Sequence, residues 1–139
     1  MINNYTIEPV FSSLENPKVF QLVSHGQNRV TKPLDELKGT NCKLQAASLL
    51  SAIKKIEKVG IGTAFEVKTI KTLKGKLCEI TIKGVTTRAF CYNDGANERI
   101  IILDVEKETH KGGSTNSKRY MDRNKNKIAL VEKLLKESE

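Results

Sequence analysis

Residues 104–113 contain the side-chain types that phosphate chemistry without a metal requires. His110 lies between Lys107 and Lys111, just after the apolar run RIIILDV (99–105). Cleavage of a phosphodiester needs a base for the attacking hydroxyl, an acid for the leaving oxygen and cations for the anionic phosphorane. Histidine titrates near working pH, and lysine supplies the charge. We therefore take His110 as a candidate acid or base and Lys107 as a candidate stabilising cation.

A second strand-like run, TTRAFCYN (86–93), adds Arg88 to this set. The turn sequence NDG (93–95) predicts a hairpin that joins this run to the one before His110. If the hairpin is symmetric about Ala96, Arg88 lies near the end of the second strand and close to the histidine. Further side chains suited to contact an RNA backbone or stack on a base are Lys68, Lys111, Arg119, Tyr120 and Arg123.

Each candidate also has a structural interpretation. The lysines beside His110 alternate with glutamates, which is typical of an exposed strand end. Arg88 can pair across strands with Glu79 or Glu98. Tyr120 fits equally well as a core residue of a helix. These alternatives stay open at the level of the residues.

The composition of the chain indicates which partners it is suited to bind and which kinds of site we do not expect. The chain has 139 residues and a formal net charge of +8, which favours nucleic acid as partner, with a membrane surface or an acidic protein as alternatives. It lacks both an apolar run of transmembrane length and an apolar leader, so we expect a cytoplasmic protein without membrane attachment. Three widely spaced cysteines and the lack of clustered ligand motifs predict no disulfide framework, no metal and no other cofactor.

Hydrophobic periodicity predicts an α+β domain. Apolar residues at helical spacing predict a central amphipathic helix over 41–58 and a C-terminal helix that begins after Gly113. Alternating residues and turn signals between them predict a four-stranded antiparallel meander, covered by the two helices. The predicted strands are 65–72, 76–83, 86–93 and 99–105.

The N-terminal part, residues 1–40, has the weakest pattern. Residues 5–11 fit a short strand that their proline confines to a sheet edge. Pro17 and the run KVFQLV predict a short helix. We therefore predict a single domain of 139 residues, with an irregular or short-helical extension over 1–40 and an α+β core over 41–139.

Residues 61–135 resemble the RelE/HigB superfamily of toxin–antitoxin ribonucleases, nearest to its phage-associated HigB-like branch. Three ordered pieces carry the resemblance: LKGKLCEITIKG (73–84), TTRAFCYNDG (86–95) and IIILDVEKETHKGG (100–113). Glu79 stands in a strand of the L-x-E-L-R type, Arg88 in the arginine-bearing strand that follows, and 107–111 in the place of K-K-T-x-K. Thr81 occupies the position of the arginine in L-x-E-L-R.

The resemblance implies a RelE-like fold, in which helices pack on a curved antiparallel sheet. It also implies metal-independent, ribosome-dependent cleavage of messenger RNA and inhibition by a cognate antitoxin protein. On this hypothesis the catalytic residues are His110, Arg88 and Lys107. The RNA-binding residues are Lys111, Lys68, Arg119, Arg123 and Tyr120. The alternative hypothesis is a non-catalytic RelE-fold binding module of phage or mobile-element origin, which acts on a host protein or on nucleic acid.

Overall fold

The structure is a computed structural model in which residues 5–24, 43–81, 87–107 and 113–137 are described. Its strands are β1 (Tyr5–Pro9), β2 (Val19–Ser24), β3 (Ile70–Lys74), β4 (Leu77–Ile80), β5 (Thr87–Asp94) and β6 (Arg99–Lys107). Its helices are α1 (Lys43–Val59), α2 (Ile61–Glu66) and α3 (Gly113–Glu137), and a 3₁₀ turn at Gly95–Asn97 connects β5 to β6. The fold class is α+β, as predicted.

The described strands form one mixed sheet in the order β1-β2-β6-β5-β4-β3. The pair of β2 and β6 is parallel, and the other neighbouring strands are antiparallel. The predicted four-stranded antiparallel meander is therefore wrong as a description of the sheet, although β3 to β6 do follow one another as antiparallel neighbours. Two N-terminal strands extend the sheet beyond β6 and make it mixed.

The predicted short helix after Pro17 is wrong, because this segment forms β2. Val19 and Gln21 pair with Ile100 and Ile102 of β6 in parallel register. Parallel strands require a long connection, and α1 and α2 both lie within the chain that joins β2 to the rest of the sheet. The edge strand predicted within 5–11 is confirmed as β1, which pairs with β2 alone.

Two helix predictions are confirmed, while the first strand of the meander begins later than predicted. The central helix is α1, and the C-terminal helix α3 begins at Gly113. Residues 65–72 were expected to be extended, but 61–66 form α2 and β3 begins only at Ile70. The reason is that Ile61 and Ala64, at helical spacing, are both buried, and Gly60 with φ of +90° allows a sharp break after α1.

The core has two layers, one on each face of the sheet. On one face α1 contributes Leu49, Ile53 and Ile56, which are fully buried against β-strand residues and α2. On the other face α3 packs through Val131 against a cluster that includes Phe90. At its C-terminal end α1 is also tied to the start of β2, since the Glu57 carboxylate accepts hydrogen bonds from the backbone amides of residues 18 and 19 at 2.6 and 3.0 Å.

Candidate nucleic-acid interface

The described residues include only part of the predicted site. His110 and Lys111 lie outside them. Lys107 belongs to β6, and Arg119, Tyr120 and Arg123 belong to α3, but their side chains are likewise outside the described set. Arg88 and Lys68 are the predicted site residues whose side chains are described.

The strand pairing brings several predicted cations to one end of the sheet. The antiparallel pairings place four strand ends side by side, namely the start of β3, the end of β4, the start of β5 and the end of β6. Lys68 lies two residues before β3, Arg88 is the second residue of β5, and Lys107 is the last of β6. We call this end of the sheet, marked by Lys68, Arg88 and Lys107, the basic end.

Lys68 is not on a strand, contrary to the prediction. It lies in the turn between α2 and β3, where its φ is +64° and its side chain is exposed. Its backbone amide donates to the carbonyl of Phe65 at 3.1 Å, which closes the turn. The turn therefore presents Lys68 to solvent at the basic end, without placing it on either face of the sheet.

The hairpin register differs from the symmetric one that was predicted for Arg88. Arg88 lies opposite Glu106 instead of Asp104, because the turn is centred beyond Ala96 and β6 contains a bulge opposite Phe90. Lys107 lies opposite the neighbouring residue, Thr87. Directly opposite residues share a face and successive residues lie on opposite faces, so the Arg88 position shares a face with Glu106 and not with Lys107.

Arg88 forms an ion pair with Glu79 of the adjacent strand β4. The distance from Arg88 Nη1 to Glu79 Oε2 is 3.7 Å, and 29% of the arginine side chain is exposed against 8% of the glutamate. The cross-strand pairing of Arg88 with Glu79 that the sequence left open is thereby confirmed. Part of the guanidinium still faces solvent, so the pairing leaves Arg88 able to contact a ligand.

Glu79 has an unusual environment for a carboxylate. It lies directly opposite Phe90 in one neighbouring strand and opposite Lys71 in the other. Burial raises the pKa of Glu79, and the charges of Arg88 and Lys71 offset part of this effect. Burial thus disfavours the charged form of Glu79, and the two flanking cations favour it.

The raised pKa of Glu79 gives a specific pH dependence of stability. Because its folded-state pKa is above the ordinary 4.5, the native protein binds more protons than the unfolded chain between the two values. Stability should therefore fall as the pH rises through this interval and stay level above it. Glu79→Gln is expected to remove this fall and to be more stable than the wild type at neutral pH.

Urea unfolding from about pH 4 to about pH 7 measures this effect. Glu66→Gln, at an exposed glutamate of α2, is the matched control and should keep the wild-type dependence. If Glu79→Gln is less stable than the wild type at every pH, the ion pair with Arg88 outweighs the burial of the charge.

One basic side chain of α3 has a structural role. Lys127 Nζ donates to the backbone carbonyl of Leu103 at 3.3 Å and lies 3.8 Å from Asp104 Oδ1. These contacts fix α3 over the bulge of β6. Lys125, two residues earlier, is exposed. The basic stretch of α3 thus combines a cation that holds the helix to the sheet with one that remains on the surface.

At the opposite end of the sheet lies a second polar region of mixed charge. A cleft of about 640 Å³ is lined by Tyr92, Asp94, Arg99, Glu132 and others. Tyr92 donates to Glu132 across the cleft at 3.3 Å, and Asp94 binds Arg99 at 2.7 Å. Because Asp94 and Glu132 balance the charges of Arg99 and Lys136 in its lining, this region has less net positive charge than the basic end.

The sequence interpretation missed Lys71 as a member of the charged set. Lys71 and Glu79 are neighbours through strand register, and the first strand was predicted in the wrong place. The alternation of β4 puts Glu79 on the face of Leu77, since Cys78 and Ile80 belong to the core cluster of the opposite face. That face assignment is the signal that could have pointed to a buried carboxylate beside Arg88.

Other kinds of site find little support in the part of the chain that the structure describes. There, no group of three or more His, Cys, Asp and Glu residues is arranged to hold a metal ion. None of the described helices is long and apolar enough to cross a membrane. Cys78 and Cys91 are buried free thiols on adjacent strands, and burial raises the pKa of Cys91, which makes it a poor nucleophile.

Comparison of the chain with protein-family models, with curated proteins and with solved structures gives no match.

Proposed function

We propose that the protein is a toxin of a toxin–antitoxin pair, a metal-independent endoribonuclease that cleaves messenger RNA on the ribosome in the cytoplasm. The observation that carries the proposal is the position of Lys68, Arg88 and Lys107 at the same end of the sheet, although Arg88 and Lys107 belong to opposite faces. The segment that contains His110 follows Lys107 directly in the chain. The net charge of +8 supports an anionic partner such as RNA.

In the proposed chemistry the 2′-hydroxyl attacks the adjacent phosphorus and the P–O5′ bond breaks, which leaves a 2′,3′-cyclic phosphate and a 5′-hydroxyl end. The 2′-oxygen loses a proton and the leaving 5′-oxygen gains one; His110 exchanges one of these protons and water the other. His110 acts as acid or base, and Arg88 and Lys107 stabilise the charge of the phosphorane. Lys68 and Lys111 bind the RNA backbone. On α3, Arg119 and Arg123 do the same, while Tyr120 stacks on a base. A cognate antitoxin protein inhibits this activity.

The test is inducible expression of the wild type and of His110→Ala in a growing bacterial host. We expect the wild type to arrest growth and to leave new transcript ends inside translated codons, and His110→Ala to do neither. His25→Ala, which changes the other histidine of the chain, is the matched control and should behave as the wild type. Unaffected growth with intact transcripts at equal expression of soluble wild type contradicts the proposal.

The ion pair of Arg88 with Glu79 favours a second candidate, a non-catalytic binding module. In this alternative Arg88 stabilises the sheet through its ion pair with the buried Glu79 and does not stabilise a transition state. The two candidates differ in one readout. A module of this kind binds RNA or a host protein in vitro but produces no new transcript ends, and His110→Ala leaves its binding unchanged.

A further inference from the structure

Three charged residues on adjacent strands form a row near the basic end of the sheet. Lys71 on β3 lies directly opposite Glu79 on β4, and Arg88 on β5 lies diagonally across from Glu79. Lys71 is exposed, the Arg88 side chain is partly exposed, and Glu79 is buried. The surface therefore presents two cations, while the negative charge between them lies underneath.

The burial of the Glu79 carboxylate is unfavourable in free energy, and the packing of the core does not require a charged residue at this position. Its Oε2 atom has no hydrogen-bond donor among the described residues, and the nearest cation, Arg88 Nη1, is 3.7 Å away. A buried carboxylate oxygen without a hydrogen bond destabilises a fold, and an apolar residue at the same position is often more stable. The position of Glu79 points to a role in placing Arg88.

We propose that Glu79 is a positioning residue that fixes the Arg88 guanidinium, and that Arg88 and Lys71 together form a binding site for RNA phosphate. The inference rests on the RNA-binding part of the proposed function and is independent of cleavage. Glu79 is buried, so its carboxylate does not contact the RNA, although its charge still acts on the RNA through the electric field. The planar guanidinium has five N–H donors, and its contact with Glu79 Oε2 is an ion pair without a hydrogen bond, so donors remain available for phosphate oxygens.

Glu79 affects RNA affinity in two ways, through its negative charge and through the orientation that it gives to Arg88. A free arginine on a strand loses rotamer entropy when it binds a phosphate, whereas one already held by a carboxylate has lost part of it beforehand. Removal of Glu79 therefore has two opposite effects on RNA affinity. The loss of the negative charge of Glu79 makes the electrostatic potential at the RNA more positive and strengthens binding. The loss of the carboxylate that holds Arg88 frees the arginine side chain and weakens binding.

The experiment measures the affinity of a fluorescent single-stranded RNA oligonucleotide by anisotropy, over a series of salt concentrations. For single strands the slope of log K against log salt becomes shallower by about 0.7 for each phosphate that the protein no longer neutralises. We expect Lys71→Gln and Arg88→Gln each to show this change. Lys55→Gln is the matched control, because Lys55 is an exposed lysine of α1 on the other face of the sheet, and it should leave the slope unchanged.

The Glu79→Gln variant tests whether Glu79 positions the Arg88 guanidinium. We expect it to weaken RNA binding several-fold and to reduce the slope, although it raises the net charge by one. In the Arg88→Gln background the same change should have no further effect, since the residue that it positions is gone. Thermal unfolding of each variant is measured in parallel, so that RNA affinities are compared between folded proteins. Tighter binding by Glu79→Gln with an unchanged slope overturns the positioning role.

The outcome is separable from that of the growth experiment. If the wild type binds RNA with the expected slopes but cuts no transcript, the phosphate site stands and the nuclease proposal fails. If the wild type cuts transcripts but Lys71→Gln and Arg88→Gln bind RNA with the wild-type slope, the phosphate site is overturned and the nuclease proposal stands.

Discussion

Phe90→Ala is expected to lower the free energy of unfolding by about 3–5 kcal/mol, the range for truncation of a buried phenylalanine. Phe90 is 1% exposed and is among the largest fully buried side chains of the described core. It lies in the cluster that α3 covers, opposite Glu79 on one side and Asp104 on the other. A domain of this size has about 5–15 kcal/mol in total, so this single change removes much of its stability.

Urea unfolding measures the loss, and Phe90→Leu, which keeps most of the apolar volume, should cost less than about 2 kcal/mol. A second readout follows from the position beside Glu79. The space left by the ring admits water next to the carboxylate, which should bring the pKa of Glu79 back toward its ordinary value. If Phe90→Ala stays within about 1 kcal/mol of the wild type, α3 does not pack tightly on this face.

The central part of the fold could be predicted because its signals are local. The apolar spacing of Leu49, Ile53 and Ile56 is enough to define α1 and the face that it buries. Alternation with turn residues similarly located β4, β5 and β6 to within a few residues. In each case the pattern and the tertiary environment agree, so a short window of sequence carries the information.

β2 could not be predicted because its partner is remote in the sequence. Val19, Leu22 and Val23 are buried, and the strand lies between β1 and β6 with core clusters on both faces. A strand covered on both faces is a continuous apolar run, which periodicity does not separate from a short helix. Its parallel pairing joins Val19 to Ile100, far along the chain, and nothing local marks it.

The candidate site was predictable in its residue types but not in its geometry. Arg88 and its pairing with Glu79 follow from strand neighbours. The side of the sheet on which each cation lies depends on register, and the bulge in β6 shifts this register between Phe90 and Cys91. A one-residue shift moves every later side chain to the other face. The positions of Arg88 and Lys107 therefore lie on opposite faces. The pairing of β3 with β4 independently makes Lys71, which alternation alone did not locate, a neighbour of Glu79.

Asp94→Ala is the second large effect, with an expected loss of about 2–4 kcal/mol in unfolding free energy. Asp94 is 6% exposed. Its carboxylate accepts hydrogen bonds from Asn97 Nδ2 at 3.0 and 3.2 Å and from Arg99 Nε at 2.7 Å. Arg99 in turn stacks on the ring of Phe20 of β2, 4.8 Å from its centroid. The alanine variant leaves these donors without an acceptor and releases the contact that joins β2 to the β5–β6 turn.

Asp94→Asn is the matched control, because it keeps an acceptor oxygen for Asn97 but loses the charge opposite Arg99. Its loss should lie between those of the wild type and the alanine variant. A double-mutant cycle of Asp94→Ala with Phe20→Leu tests the route to β2, and we expect a coupling of about 0.5 kcal/mol or more. Additive losses would mean that Arg99 does not transmit the effect to β2.

Asp94 lies at the end of the sheet opposite the basic end, and this separation makes the variant informative about function. Asp94→Ala should lower stability while the salt dependence of RNA binding stays at the wild-type slope, measured where the variant is still folded. Arg88→Gln should reduce the slope while the turn network around Asp94 stays intact, and any loss of stability that it causes comes from Glu79, which loses its ion-pair partner. A reduced slope in Asp94→Ala would place RNA at both ends of the sheet and would contradict an interface centred on Lys71 and Arg88.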